Sequence, residues 1–198
     1  MDYTVEFARV LHSSCPDAGF SFLSGNRADP TGRSRLAFAR YKGETENALL
    51  NEFRIYEGVD TSYTKFNREP DPIDDNPFDK VVPPSDLPYV GWTEPGEWFN
   101  VTVDVAESGV YAADFLYTSN RGGTISVDVN GKDATGPLEI TTSNDPADPL
   151  AWRQWHHWNL ASQLCKVRLS KGKNVLTVHI LTNGNMNLAY FDFKPVHE

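Results

Sequence analysis

Three tryptophans, Trp152, Trp155 and Trp158, recur at every third position of one short stretch. An indole is the broadest apolar plate a protein can display, and an exposed one stacks on any flat apolar partner. Spacing by three suits one side of a helix or a loop entering a strand. In an extended chain, tryptophans three apart point to opposite faces, so Trp152 and Trp155 need not share a role. Trp152 follows Pro149-Leu150-Ala151, which suits exposure as a binding platform, with a core position as the alternative. The groups that could do acid–base work are less promising. Glu94 and Glu97 flank Pro95-Gly96 and read as turn carboxylates rather than a catalytic pair. His156-His157 is the one adjacent histidine pair, and on a strand the two rings face opposite ways, which disfavours a shared metal or a proton relay.

The elements that must hold these residues are strands. From Trp98 the chain alternates, with Phe99, Val101, Val103 and Val105 apolar and Asn100, Thr102 and Asp104 polar, the period of a strand with one wet face. The turn Glu94-Pro95-Gly96-Glu97 joins Gly91-Trp92 to Trp98, and the two tryptophans that bracket it are each large enough to anchor a core edge. Val110 to Thr118, then Ile125, Val127 and Val129, continue the alternation, and Asn130-Gly131 is the strongest hairpin signal in the chain. Val167 and Leu169, then Leu176, Val178 and Ile180, form two more strands around Lys171-Gly172-Lys173, and Leu188 to Phe193 forms the last. Tyr3 to Leu11 reads as the first. Short strands about ten residues apart, without a convincing amphipathic helix, predict an all-β fold: a β-sandwich or jelly roll of two antiparallel sheets.

The bulk composition limits the partners. The chain has 198 residues, a formal charge of −9 and 13 prolines, which fits one loop-rich domain spanning 1–198 and argues against an electrostatic grip on nucleic acid. No stretch approaches a membrane span, and Met1-Asp2-Tyr3-Thr4 does not open a signal peptide. Extended loops are expected at about 12–35 and 64–88. The second holds Pro70, Pro72, Pro77, Pro83, Pro84 and Pro88 with Asp71, Asp74, Asp75 and Asp79. It is read as an insertion that forms a structural flap, with a wall of the ligand groove or a calcium loop as alternatives. Cys15 and Cys165 are either two buried thiols or one long-range disulfide.

The segment Gly91-Trp92-Thr93-Glu94-Pro95-Gly96-Glu97-Trp98 resembles the central signature of family 6 carbohydrate-binding modules. The resemblance continues through Val103 to Tyr111, Gly123 to Lys132, Trp152-Arg153-Gln154-Trp155 and Asn187 to Phe193, about the last 110 residues. It implies a site in the loops at one end of the sandwich. Trp152 would be one wall, with Trp155 packing inside. Asn187 would offer its carboxamide to sugar hydroxyls, which suits a diol because donor and acceptor come together; as a residue it is also a plain turn former. Phe53, in the segment Phe53-Arg54-Ile55-Tyr56-Glu57-Gly58-Val59-Asp60, stands where the family usually has a tyrosine wall, or else is core. Arg54, Tyr56 and Tyr41 are further candidates there. For a structural calcium ion, Glu6 matches one family carboxylate, Ala8 replaces the second, and Asp192 could add an oxygen.

The function these residues imply is carbohydrate binding without catalysis. A linked catalytic domain would be brought to its polysaccharide or oligosaccharide by ring stacking and hydroxyl hydrogen bonds. The expected protein is extracellular or on the cell surface, monomeric, and without membrane or nucleic-acid partners. A protein-interaction or adhesion sandwich is the main alternative. A glycoside hydrolase or lyase would need two carboxylates facing across a sugar.

Overall fold

The alternation from Trp98 onward becomes an eight-residue strand at the centre of a two-layer structure. The coordinates are those of a computed structural model, which describes residues 3–6, 61–64, 74, 76–84 and 88–196. In chain order the strands are β1 (Tyr3–Glu6), β2 (Thr61–Tyr63), β3 (Pro88–Val90), β4 (Trp98–Val105), β5 (Gly109–Ser119), β6 (Gly123–Val129), β7 (Lys132–Asp133), β8 (Leu138–Ile140), β9 (Asn159–Leu169), β10 (Gly172–Thr182) and β11 (Met186–Pro195). One sheet runs β2-β3-β11-β5-β9, with β1 also paired to β11. The other runs β4-β10-β6-β7, with β8 also paired to β6. Every pairing is antiparallel, so the expected sandwich is the observed fold.

The period-two pattern sets what each strand buries. Phe99, Val101, Val103 and Val105 of β4 meet Leu176, Val178 and Ile180 of β10 and Ile125 and Val127 of β6 on one inner face. Opposite them stand Phe115 and Tyr117 of β5, Phe191 and Phe193 of β11, and Val167 and Leu169 of β9. Phe115 stacks on Phe191 at a centroid distance of 4.5 Å, a pair whose attraction adds to its burial. The Asn130-Gly131 hairpin forms as expected, with both residues at positive φ, 53° and 77°.

The outer face of the first sheet carries a second, smaller core of Tyr89, Leu116, Trp158 and Ala189, joined by Val81, Leu160 and Tyr190. The described part of the proline-rich insertion lies over it. Lys80 and Val81 donate their backbone N–H groups to the Trp158 carbonyl at 2.9 and 3.2 Å. In return Asp79 accepts the Trp158 N–H at 2.9 Å, and Asp74 accepts the indole N–H. The Thr64 hydroxyl donates to the Pro84 carbonyl and pins the far end. These contacts are those of a flap over a sheet face. Burial pushes the Asp79 carboxyl up to about 6 despite the hydrogen bonds it accepts from Trp158 and Asn76. Cys165, on β9, has a free thiol that burial pushes up to about 11. Cys15 lies outside the described residues. Among the described residues no helix is long and apolar enough to cross a membrane.

Candidate functional site

At one end of the first sheet, β3 finishes at Val90, β5 at Ser119, and β11 begins at Met186. The loops that meet there are 91–97, 141–158 and 183–185. Loop 91–97 is closed by the expected turn. The Glu94 N–H donates to Glu97 Oε2 at 2.7 Å, the Glu97 N–H returns to the Glu94 carbonyl at 3.2 Å, and Gly96 takes φ +89°. Glu94 and Glu97 are therefore joined within one turn and do not face each other across a cleft. Thr93 then ties this loop to the next: its hydroxyl accepts the Met186 N–H at 3.0 Å, and its carbonyl accepts that of Asn185. Trp92, between these anchors, is 39% exposed at φ +52°, a conformation unfavourable for a bulky residue. Its ring belongs to neither hydrophobic cluster of the described residues.

Loop 141–158 is organised by one carboxylate. Asp148 is wholly buried and accepts from Arg153 Nε at 2.6 Å, Arg153 Nη2 at 2.8 Å, His157 Nε2 at 2.9 Å and the Leu150 N–H at 3.0 Å. The Arg153 hydrogen bonds hold its carboxyl well below the usual range, against the opposing effect of burial. His157 also places Nδ1 3.0 Å from the Ser143 carbonyl. Both ring nitrogens of His157 thus sit within hydrogen-bond distance of an oxygen, which fixes the ring between the Asp148 carboxylate and the Ser143 carbonyl. Phe78 of the flap stacks on the same ring at 5.2 Å. Turns follow from these anchors: the Arg153 N–H reaches the Leu150 carbonyl and the His156 N–H reaches that of Arg153, both at 2.8 Å.

This geometry separates the three tryptophans. Trp152 is 54% exposed, and its ring stacks on no other ring among the described residues. Trp155 is half-buried and leans on His156 with ring centroids 4.0 Å apart. Trp158 is fully buried in the outer-face core. The tryptophan that packs inside is thus Trp158 rather than Trp155. The reason is that the turns at 150–156 carry the chain onto the sheet three residues later than the motif suggested.

Asn187 stands at the start of β11, paired with Thr118 of β5, and is 2% exposed. Its Nδ2 lies 3.2 Å from His156 Nδ1. A Cβ on Gly91 would come within 2.9 Å of its Oδ1, so glycine leaves room for the carboxamide. The buried Thr118 hydroxyl has no hydrogen-bond partner. The link from this loop to Asn187 is therefore His156, on whose ring Trp155 leans, while Trp152 on the same loop is exposed. His156 itself is driven down to about 4 by burial and by the charge on His157, so it is neutral at ordinary pH. The sequence signal for it was the His156-His157 pair, read there only for metal and proton chemistry. In the sequence Asp148 stands out only as one acid of the loop stretch Asp145-Pro146-Ala147-Asp148-Pro149.

Phe53, Arg54, Tyr56 and Tyr41 lie outside the described residues. So does the side chain of Glu6, whose backbone pairs with Tyr190 two residues along from Thr4 opposite Asp192. Asp192 lies 3.4 Å from Lys194 Nζ, which also donates to Asp114 at 2.8 Å. A dication bound at Asp192 has to compete with that ammonium. Among the described residues no cluster of three metal-ligating side chains occurs.

Residues 83–195, more than half of the chain, match the family described as carbohydrate binding module (family 6). No curated protein matches the chain. Among solved structures, the chain is similar to a module from Cellvibrio mixtus lichenase 5A in complex with cellotriose. The identity is 18%, covering 71% of this chain and 88% of that one, with a TM-score of 0.46. A family 35 module from Clostridium thermocellum is 21% identical, covering 60% and 84%, with a TM-score of 0.45. The Podospora anserina GH26-CBM35 β-(1,4)-mannanase is 13% identical, covering 61% of this chain and 24% of that one, with a TM-score of 0.45. By the extent of the sequence match, the chain belongs to carbohydrate-binding module family 6.

Proposed function

We propose that this chain holds pyranose faces at the loop end of its first sheet and leaves them chemically unchanged. The observation that carries this reading is a pinned loop that displays Trp152 to solvent and holds Trp155 against His156, which in turn meets the buried Asn187 amide. A sugar ring has an apolar C–H face, so an indole supplies the stacking surface and polar groups at its edge select the hydroxyls. Phe53, with Arg54, Tyr56 and Tyr41, would complete the opposite wall, as the family resemblance suggests. With few contacts the affinity is expected in the micromolar to millimolar range, on the order of −4 to −8 kcal/mol. A module of that strength works by tethering: it raises the local concentration of a linked polysaccharide-degrading enzyme outside the cell.

The reading includes a structural calcium ion held by Glu6 and Asp192, with Asp192 exchanging Lys194 for the ion. Its test is thermal unfolding with calcium and with chelator, a rise in midpoint with calcium supporting it and identical midpoints excluding it. The main test is retention in gels containing soluble polysaccharides, run beside Trp152→Ala. The expected result is retardation of the parent by at least one glycan and loss of that retardation in the variant. Release of reducing ends by the isolated chain would contradict the non-catalytic part.

A further inference from the structure

We propose that His156 supplies the hydrogen bond of this cleft to the sugar, with Asn187 as the buried residue that positions it. The inference rests on the binding reading above and changes which residue makes the polar contact. Asn187 is 2% exposed, so its carboxamide has almost no open approach. What it does reach is His156 Nδ1, at 3.2 Å from Nδ2. An amide nitrogen can only donate, so Nδ1 is the unprotonated nitrogen and the ring proton sits on Nε2. The Trp155 ring, 4.0 Å away, holds the imidazole plane from a second direction.

Three features make Nε2–H a donor aimed at a ligand. His156 as a residue is half-buried, not enclosed. Nε2 forms no hydrogen bond among the described residues. With its pKa lowered to about 4 by burial and the neighbouring His157 charge, the ring stays neutral and its tautomer is fixed by Asn187. A neutral, oriented N–H beside an indole fits a hydroxyl or ring oxygen at the edge of a stacked pyranoside. A site built around one such bond rejects analogues that lack the oxygen, because the donor is then left unpaired. Gly91 belongs to the same device, since a methyl there would press on Asn187 Oδ1.

The test combines long-range proton–nitrogen spectra of the imidazoles with binding to the glycan that the parent retains. In the free protein at pH 7, His156 is expected as the Nε2–H tautomer, and Asn187→Ala is expected to mix the two tautomers. His156→Phe, which keeps a ring against Trp155 but removes the donor, is expected to bind at least about tenfold more weakly. His156→Gln, which restores an N–H, is expected to recover part of the loss, with circular dichroism confirming the fold of each variant. An Nδ1–H tautomer, or a Phe variant that binds as tightly as the parent, overturns the inference and leaves the binding reading standing. A parent that binds no glycan overturns both.

Discussion

Trp158 and Trp152 are six residues apart and end in opposite surroundings, one fully buried against a sheet and the other more than half exposed. The two regions they belong to are held by different forces. The sandwich core is held by burial, which is non-directional and repeats along every strand: any apolar residue of suitable size on the inner face contributes. Loop 141–158 is held by directional bonds converging on Asp148, where each donor has one workable position. The lesson is that binding groups here are positioned by the second kind of force and only supported by the first. Stability and binding should therefore respond to different substitutions.

The largest effect on stability is expected from Phe191→Ala, which removes the ring stacked on Phe115 at the centre of the core. A loss of about 3 to 5 kcal/mol in urea titration is expected, with glycan retention preserved wherever the variant remains folded. Asp148→Ala should do the reverse in kind. It leaves the buried Arg153 guanidinium without its carboxylate and His157 without its Nε2 partner, so loop 141–158 should become open to limited proteolysis and glycan retention should be lost. If retention survives while proteolysis increases, the loop is not what positions the site.

A smaller effect separates the flap from the loop by pH. Asp79 is raised to about 6, chiefly by burial, so between about 4 and 6 the folded protein keeps a proton that the unfolded chain has lost. Its contribution to stability is full at low pH and is lost as the pH rises through that window. Asp148, and Asp114 with its Lys194 partner, act with the opposite sign: both are lowered, so their stabilisation is present above about 4 and lost as the pH falls through their folded values. Asp79→Asn keeps an oxygen for the Trp158 N–H and removes the ionisation. Relative to the parent, its urea midpoint should improve as the pH rises from 4 to 6; parallel curves would place the proton elsewhere. The smallest effect concerns Cys165, whose thiol, raised to about 11, should react with a disulfide reagent at pH 8 far more slowly in the folded protein than after unfolding.

The same contrast explains what the sequence made legible. Period-two alternation from Trp98 to Val105 and in β10 is a direct imprint of burial, and the sandwich could be read from it, whereas β5 is buried on both faces from Ala113 to Ser119. The Glu94–Glu97 turn and the Asn130-Gly131 hairpin were equally plain, because proline, asparagine and glycine carry their φ preferences locally. The loop was not. Nothing in the spacing of Asp148, Arg153 and His157 marks them as one network, and the register of the tryptophans depends on the turns that network sets.

The central claim is tested most directly by measuring retention of the parent, Trp152→Ala and Trp155→Ala on a panel of insoluble polysaccharides, with reducing ends assayed in the same tubes. The account predicts that the parent is retained by at least one polymer, that both variants are retained far less while remaining folded, and that no reducing ends appear. Equal retention of parent and variants, or reducing ends released by the parent, would contradict it.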